Sequence, residues 1–365
     1  MGIPEKIKKI QDEIARTQVN KATERHLGVL KARIARLKNE MEVLAARKSG
    51  GGGGGYTVKK DGNATVVLLG LPSVGKSTLL NHLTNSNSKV GAYDFTTLTV
   101  IPGILDYNGA KIQILDIPGI IKGASLGRGL GKRILSATRS ANLVLVVLDV
   151  FNPGTRDVLL DEIRAVGLRP DETTPNIRIV KRGSGGIHIT DLVGMTQMHP
   201  DGIKEILREY RFHNARVVVR EDASYEQLID VMMKNRIYVP TLTVLNKIDM
   251  VDQQYLDEIA EQCDFDYLPI SADNDVNLDG LKDAIFDRLN LIRLYMKPRG
   301  KKPDFEEPLI IRNGSTVGEI TDTIHKNLRE EVRFTRIWGK SVKYAGQIVG
   351  LAHRPMDEDI ITFFT

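Results

Sequence analysis

The sequence predicts a doubly wound, mostly parallel α/β sheet with a helical arm before it, a small α+β insertion within it and a small β-rich domain after it. Three observations lead there. Short apolar runs (Thr65–Leu69, Leu143–Asp149, Thr241–Leu245) alternate with helical stretches, the pattern of strands buried on both faces. A glycine-bounded loop joins the first run to a helix, as happens where a parallel sheet holds its ligand. Six consecutive glycines, Gly50 to Gly55, separate these strands from an N-terminal segment of helical periodicity.

The elements follow in order. Residues 1–48 read as a basic helical hairpin. Ile3, Ile7, Ile10 and Ile14 form one stripe, and Leu27, Leu30, Ile34, Leu37, Met41 and Leu44 form a heptad seam, with Asn20 a candidate N-cap between them. Residues 49–60 form a glycine-rich tether, which leaves the arm free to move. The first part of the sheet domain covers 61–151, where Asn108-Gly109 marks a tight hairpin. Residues 152–238 break the alternation and form the α+β insertion; their scattered histidines, His188, His199 and His213, carry no metal-ligand spacing. The sheet domain resumes over 239–292, and 293–365 form the last domain, several short strands around one helix.

Composition narrows the class. At 365 residues the chain is long for one core and suits two or three. Hydrophobic residues at 41% and charged residues at 27% match a globular protein. No apolar run approaches the ~20 residues of a membrane helix, the first residues lack the apolar core of a signal peptide, and the single cysteine, Cys263, excludes an internal disulfide. A cytoplasmic monomer is expected. Charge is uneven: residues 1–48 carry 12 Lys/Arg against 6 Asp/Glu, and 290–365 carry 13 against 10, around a mildly acidic centre. Basic ends suggest a polyanionic partner such as a nucleic acid.

Gly70-Leu-Pro72-Ser73-Val74-Gly75-Lys76-Ser77-Thr78 satisfies G-x-x-x-x-G-K-[ST] between a strand and a helix. There the backbone N–H groups cradle phosphates, Lys76 reaches the β- and γ-phosphates, and the Ser77 hydroxyl binds Mg²⁺. Asp116-Ile117-Pro118-Gly119 follows the hairpin's second strand; Asp116 would hold Mg²⁺ through water and the Gly119 N–H would sense the γ-phosphate. Asn246-Lys247-Ile-Asp249 follows another strand, and a carboxylate there accepts from guanine N1–H and the 2-amino group, donors that adenine lacks. Ser271-Ala272-Asp273 supplies a last base contact. Between the first two motifs, Phe95-Thr96-Thr97 should provide the threonine that caps Mg²⁺ and the γ-phosphate, Thr97 ahead of Thr96. Four motifs in this order imply a P-loop GTPase domain binding GTP or GDP with Mg²⁺, with Lys76, Thr97 and Gly119 as the catalytic set.

The stretches Gly-Leu-Pro-Ser-Val-Gly-Lys-Ser-Thr, Tyr93-Asp-Phe-Thr-Thr-Leu-Thr99 and Asp116-Ile-Pro-Gly-Ile-Ile-Lys-Gly-Ala-Ser-Leu-Gly resemble the Obg-related branch of translation-factor-class GTPases. With the basic arm, the glycine run, the insertion and the C-terminal domain, the whole chain resembles the developmentally regulated GTP-binding (DRG) family. The resemblance implies that residues 293–365 are a TGS domain, a ubiquitin-like β-grasp module, and that ribosomes or RNA are bound. The basic arm and the β-grasp domain are then expected to contact ribosomal RNA or a regulatory protein partner, and charge reversal at Lys31, Arg33 and Arg36 is expected to weaken ribosome binding. Ile120 stands where many small GTPases place a water-orienting glutamine, so intrinsic hydrolysis should be slow. The related branch suggests K⁺ near Ser73 as the missing aid. A ribosome-bound scaffold with a barely hydrolysed structural nucleotide, and an ATPase with an altered base-reading motif, are the alternatives; the intact Asn246–Asp249 motif opposes the latter.

Overall fold

The computed structural model describes residues 2–20, 23–48, 62–84, 93–95, 98–116, 141–165, 167–325 and 327–365. The glycine tether, Thr96, Thr97, the stretch from Ile117 through Ile120 and the glycine-rich segment after it lie outside the described residues.

The chain opens with α1 (Ile3–Arg16) and α2 (Glu24–Lys48). It continues through β1 (Ala64–Leu69), α3 (Lys76–Leu83), β2 (Tyr93–Phe95), β3 (Leu98–Tyr107), β4 (Ala110–Asp116), β5 (Leu143–Asp149), α4 (Thr155–Ala165) and β6 (Leu168–Pro170). The insertion holds β7 (Ile177–Lys181), β8 (Ile187–Asp191), α5 (Pro200–Glu209), β9 (Ala215–Val219) and α6 (Tyr225–Met233), and β10 (Ile237–Val239) leads out of it. Then come β11 (Thr241–Asn246), α7 (Gln253–Gln262), β12 (Leu268–Pro269) and α8 (Leu278–Arg288). The last domain is β13 (Leu291–Met296), β14 (Leu309–Arg312), α9 (Val317–Ile324), α10 (Leu328–Glu331), β15 (Phe334–Trp338), β16 (Gln347–Val349) and β17 (Ile360–Phe364).

The chain divides into two compact units. One joins α1 and α2 to Glu172–Tyr238; the other holds Tyr56–Asp171 and Val239–Thr365. Thus α4 and β6, which fall within the expected span of the insertion, group with the sheet instead. α4 buries Leu159, Leu160 and Ile163, an apolar stripe at helical spacing that continues the strand–helix alternation of the sheet.

In the sheet unit the strand order is β12-β11-β5-β1-β4-β3-β2. β1 pairs in parallel with β4 and β5, and β11 lies parallel between β5 and β12. β1 and most of β5 are buried, as their unbroken apolar runs require. Each fully buried Leu, Ile or Val contributes ~1.5–3 kcal/mol relative to exposure. The β3–β4 hairpin turns at Asn108 (φ 50°) and Gly109 (φ 77°), both left-handed as a two-residue turn matched to sheet twist demands. The C-terminal strands form a separate mixed sheet of order β14-β13-β17-β15-β16, with β13 and β17 parallel. Its core of Leu294, Ile337 and Ile361 packs with Val317 and Ile320 of α9.

The other unit changes the meaning of the arm. Ile7 and Ile10 of α1 cluster with Leu30 and Leu37 of α2, so the heptad seam closes its own hairpin. Asn20 and Thr23 exchange side-chain and backbone hydrogen bonds at 3.0 Å ahead of α2, the capping arrangement expected for Asn20. A second stripe of α2, Val29, Ala32 and Ala35, packs into the core of the insertion with Ile203, Leu207 and Leu228. Gly28 lies against Tyr225 so closely that a β-carbon would come within 2.8 Å of the ring. The arm's cations are engaged there too. Arg25 pairs with Glu205 and Lys31 with Glu226, while Arg33 and Arg36 share Glu209 at 3.4 and 3.1 Å. The arm is therefore docked on the insertion rather than free to move, and Lys31, Arg33 and Arg36, expected at an RNA contact, face the chain's own glutamates. His188 and His199 have local partners, the Gly185 carbonyl at 2.6 Å and the start of α5, where His199 is the N-cap. Among the described residues no helix is long and apolar enough to cross a membrane.

Candidate nucleotide-binding site

The phosphate loop runs from the buried end of β1 to the first turn of α3. The chain reverses sharply there, through Ser73 (φ 65°) and Gly75 (φ 92°) in left-handed conformation. Gly75 is also a close approach: a β-carbon would come within 2.3 Å of the Asn246 amide nitrogen. A β-carbon on Gly70 would come within 2.5 Å of the Val147 carbonyl. Among the described residues no side chain caps α3, so its first N–H groups point into the loop with the positive end of the helix dipole. That is a cradle for an anion.

Lys76 arches over this loop, its Nζ donating to the carbonyls of Gly70 (3.1 Å) and Leu71 (2.7 Å). Burial pulls its pKa below that of an ordinary lysine, and the Asp116 carboxylate opposes that shift. Ser77 donates to Asp116 Oδ2 at 2.9 Å. The register of the parallel β1–β4 pair brings them together, setting Asp116 beside Leu68. The other carboxylate oxygen, Oδ1, is buried without a hydrogen-bond partner among the described residues. A serine hydroxyl beside a carboxylate with an unused buried oxygen is a hard donor set that fits Mg²⁺.

The base-reading motif is joined to this loop by its own side chains. Asn246 is 1% exposed at the end of β11. Its Nδ2 donates to the Val74 carbonyl at 2.9 Å, and its Oδ1 accepts from the Ala272 N–H at 2.9 Å. One amide thus holds the phosphate loop and the Ser271–Asp273 loop together. Lys247, left-handed at φ 68°, extends the other way. Its Nζ donates to the Ser73 carbonyl and to Asp149 Oδ2, each at 2.7 Å. Ile248–Met250 form a single 3-10 turn that leaves the Asp249 carboxylate exposed, with no partner among the described residues. Ser271 is fully buried and its Oγ accepts from the Asn274 N–H at 3.2 Å, which shapes the loop that carries Ala272 and Asp273.

The structure therefore gathers Gly70, Pro72, Ser73, Val74, Gly75, Lys76, Ser77 and Thr78 with Asp116, Asn246, Lys247, Asp249, Ser271, Ala272 and Asp273 at the C-terminal ends of β1, β4, β11 and β12. Phe95 ends the described part of β2. Thr96, Thr97, Ile117, Pro118 and Gly119 are outside the described residues. Asp149 was absent from the expected set. Its signal was a lone carboxylate at the end of an otherwise apolar strand, next to the strand that carries Asn246.

A phosphate cradle tied to a guanine-reading loop, on a parallel sheet of this order, defines a P-loop guanine-nucleotide-binding protein. Family comparison places it further. The family described as 50S ribosome-binding GTPase matches residues 65–177, the C-terminal region of that domain matches 184–291, and the TGS domain matches 292–365. A GTP-binding protein of Methanocaldococcus jannaschii is 50% identical, covering 99% of this chain and 93% of its own. Developmentally-regulated GTP-binding protein 1 of Xenopus laevis is 45% identical over 99% and 98% of the two chains. Ribosome-interacting GTPase 1 of Saccharomyces cerevisiae is also 45% identical, over 98% of each. The chain belongs to the developmentally regulated GTP-binding protein family, GTPases with a C-terminal TGS domain.

Proposed function

We propose that this protein hydrolyses GTP as a switch that acts on ribosomes. The observation that carries the nucleotide half is the Asn246 amide, which locks the guanine-reading loop to the phosphate loop at 2.9 Å on both sides. The ribosomal half is supported by the yeast relative that shares its full length and is named for ribosome interaction.

In this reading the N–H groups of the phosphate loop and the Lys76 ammonium take up charge on the transferring γ-phosphoryl group as water attacks in line. Lys76 is already poised at the loop mouth, bonded among the described residues to carbonyls that phosphate oxygens replace. Ser77 and Thr97, with Asp116 through water, would hold Mg²⁺, which would supply positive charge to neutralise the phosphates. Asp249 and the Ser271–Asp273 loop read the base, and the Gly119 N–H senses the γ-phosphate. Ile120 offers no group to orient water, so turnover by the isolated protein is slow and rises with K⁺ beside Ser73 or with the ribosome. A regulatory protein partner of the family kind and a monomeric chain complete the reading.

Single-turnover hydrolysis of GTP and ATP, in K⁺ and in Na⁺, with and without ribosomes, tests it. GTP-selective turnover raised by ribosomes supports the switch; equal rates in K⁺ and Na⁺ remove the cation. Tight GTP binding with no stimulated hydrolysis favours the second reading, a scaffold with a structural nucleotide, which Ile120 keeps open.

A further inference from the structure

The sheet of the insertion has one covered face and one open face. Its strand order is β7-β9-β8, and Ile177, Ala215, Val217 and Val219 face the helices. Strand alternation turns Arg178, Arg216 and Thr190 to the opposite side. There, Arg178, Arg182, Arg216 and Arg220 line one shallow concavity floored by Val180 and Val218.

The four arginines are ordered. Arg178 pairs across the ladder with Val218, and Val180 with Arg216, while Arg182 and Arg220 lie at opposite ends of the same two strand segments. The arginines therefore zigzag between β7 and β9, each on the diagonal from the next, with backbone positions roughly 7–8 Å apart. Among the described residues no acidic side chain lines this concavity, and no carboxylate pairs with any of the four guanidinium groups. This contrasts with the arm of the same unit, where Arg25, Lys31, Arg33 and Arg36 are all paired.

We propose that this open face of the insertion is an RNA-binding surface that tracks the phosphate backbone of a single strand. A regular row of unpaired cations complements a chain with one phosphate per nucleotide. Arginine forks bind phosphate through two parallel N–H donors, and their planes accept stacked bases. Val180, Val218 and Leu192 between them offer apolar contact without sequence preference. The inference rests on the ribosome-linked reading and assigns the RNA contact to this face rather than to the paired cations Lys31, Arg33 and Arg36 of the arm.

The test uses the full-length protein and a fluorescein-labelled 20-nucleotide oligouridylate, followed by anisotropy across a salt series. Four phosphate contacts give a slope of log K against log salt of about −2.8, at ~0.7 per phosphate on a single strand. Arg178→Ala/Arg216→Ala and, independently, Arg182→Ala/Arg220→Ala should each bring it to about −1.4, with GDP affinity and melting temperature unchanged. Lys31→Ala/Arg33→Ala should leave the slope as it is. Slopes unchanged in both arginine pairs, or wild-type protein that binds polyglutamate but not oligouridylate, would overturn the proposal. Ribosome co-sedimentation retained by both pairs would leave the ribosome-linked function standing while this surface assignment fell.

Discussion

The side-chain amide of Asn246 donates to the Val74 carbonyl at 2.9 Å, across 172 residues of sequence. Its oxygen accepts from Ala272, so one buried side chain sets the distance between phosphate and base recognition. Asn246→Ala leaves a buried carbonyl and N–H unsatisfied, at ~1–3 kcal/mol each. The melting temperature of the nucleotide-free protein should drop by several degrees. GDP affinity should fall about 100-fold as the loops lose register, a change of ~2.7 kcal/mol. Thermal unfolding and titration with a fluorescent GDP check both. Unchanged affinity with a lowered melting temperature would make Asn246 a stability residue alone.

Ser77 and Asp116 together make the Mg²⁺ reading testable without hydrolysis. Ser77→Ala should leave the fold intact, because it removes an exposed hydroxyl from a single 2.9 Å contact. It should abolish most of the difference between GDP release rates in Mg²⁺ and in EDTA. Asp116→Asn should do the same. A full Mg²⁺ effect in both variants would move the ion elsewhere.

Alkaline stability reports on the docking of the arm. Tyr210 sits under α2, its hydroxyl donating to the Ala32 carbonyl at 3.3 Å, and burial pushes its pKa up to about 12. The folded value lies above the unfolded value near 10. The neutral phenol's contribution is therefore intact below pH ~10 and is lost as pH rises toward 12, where the unfolded chain ionises first. Tyr210→Phe should flatten the loss of stability between pH 10 and 12 relative to wild type, measured by chemical denaturation. An identical decline in both proteins would contradict the assignment.

The close approach of Gly28 to Tyr225 offers a way to loosen the arm without touching charge. Gly28→Val forces side chain into a space where a β-carbon meets the ring at 2.8 Å. Overpacking of this kind costs ~1–3 kcal/mol. Hydrogen exchange over α2 should speed up while the sheet unit keeps its protection. Uniform exchange in variant and wild type would mean that the packing adapts.

Much of this is legible in the sequence. The glycine loop, the Asn-Gly turn and the unbroken apolar strands are local signals, and each depends on residues within a few positions of one another. Asp249 and Lys76 stand in motifs that also fix local geometry, so the sequence alone singles them out. The unit made by the arm and the insertion was not legible, because its cause is long-range. The net positive charge of residues 1–48 reads as a free basic surface until Glu205, Glu209 and Glu226 are placed opposite it. Periodicity revealed the seam of α2 and not its second stripe, since Val29, Ala32 and Ala35 are too small to stand out in a helical pattern. The Lys247–Asp149 bridge is hidden because its partners lie 98 residues apart in sequence, at the ends of neighbouring strands.

The most direct measurement is nucleotide selectivity of the wild type and Asp249→Asn, by competition binding with GTP, ATP and XTP. Xanthine presents a carbonyl where guanine has its 2-amino group, so an asparagine donor should match XTP as the aspartate matches GTP. Wild type should prefer GTP to ATP by at least ~10³-fold, as sites built on specific hydrogen bonds do. The variant should lose GTP affinity by a similar factor and gain XTP. Comparable binding of GTP and ATP by the wild type, or a variant that still prefers GTP, would contradict the assignment of this loop as the guanine reader.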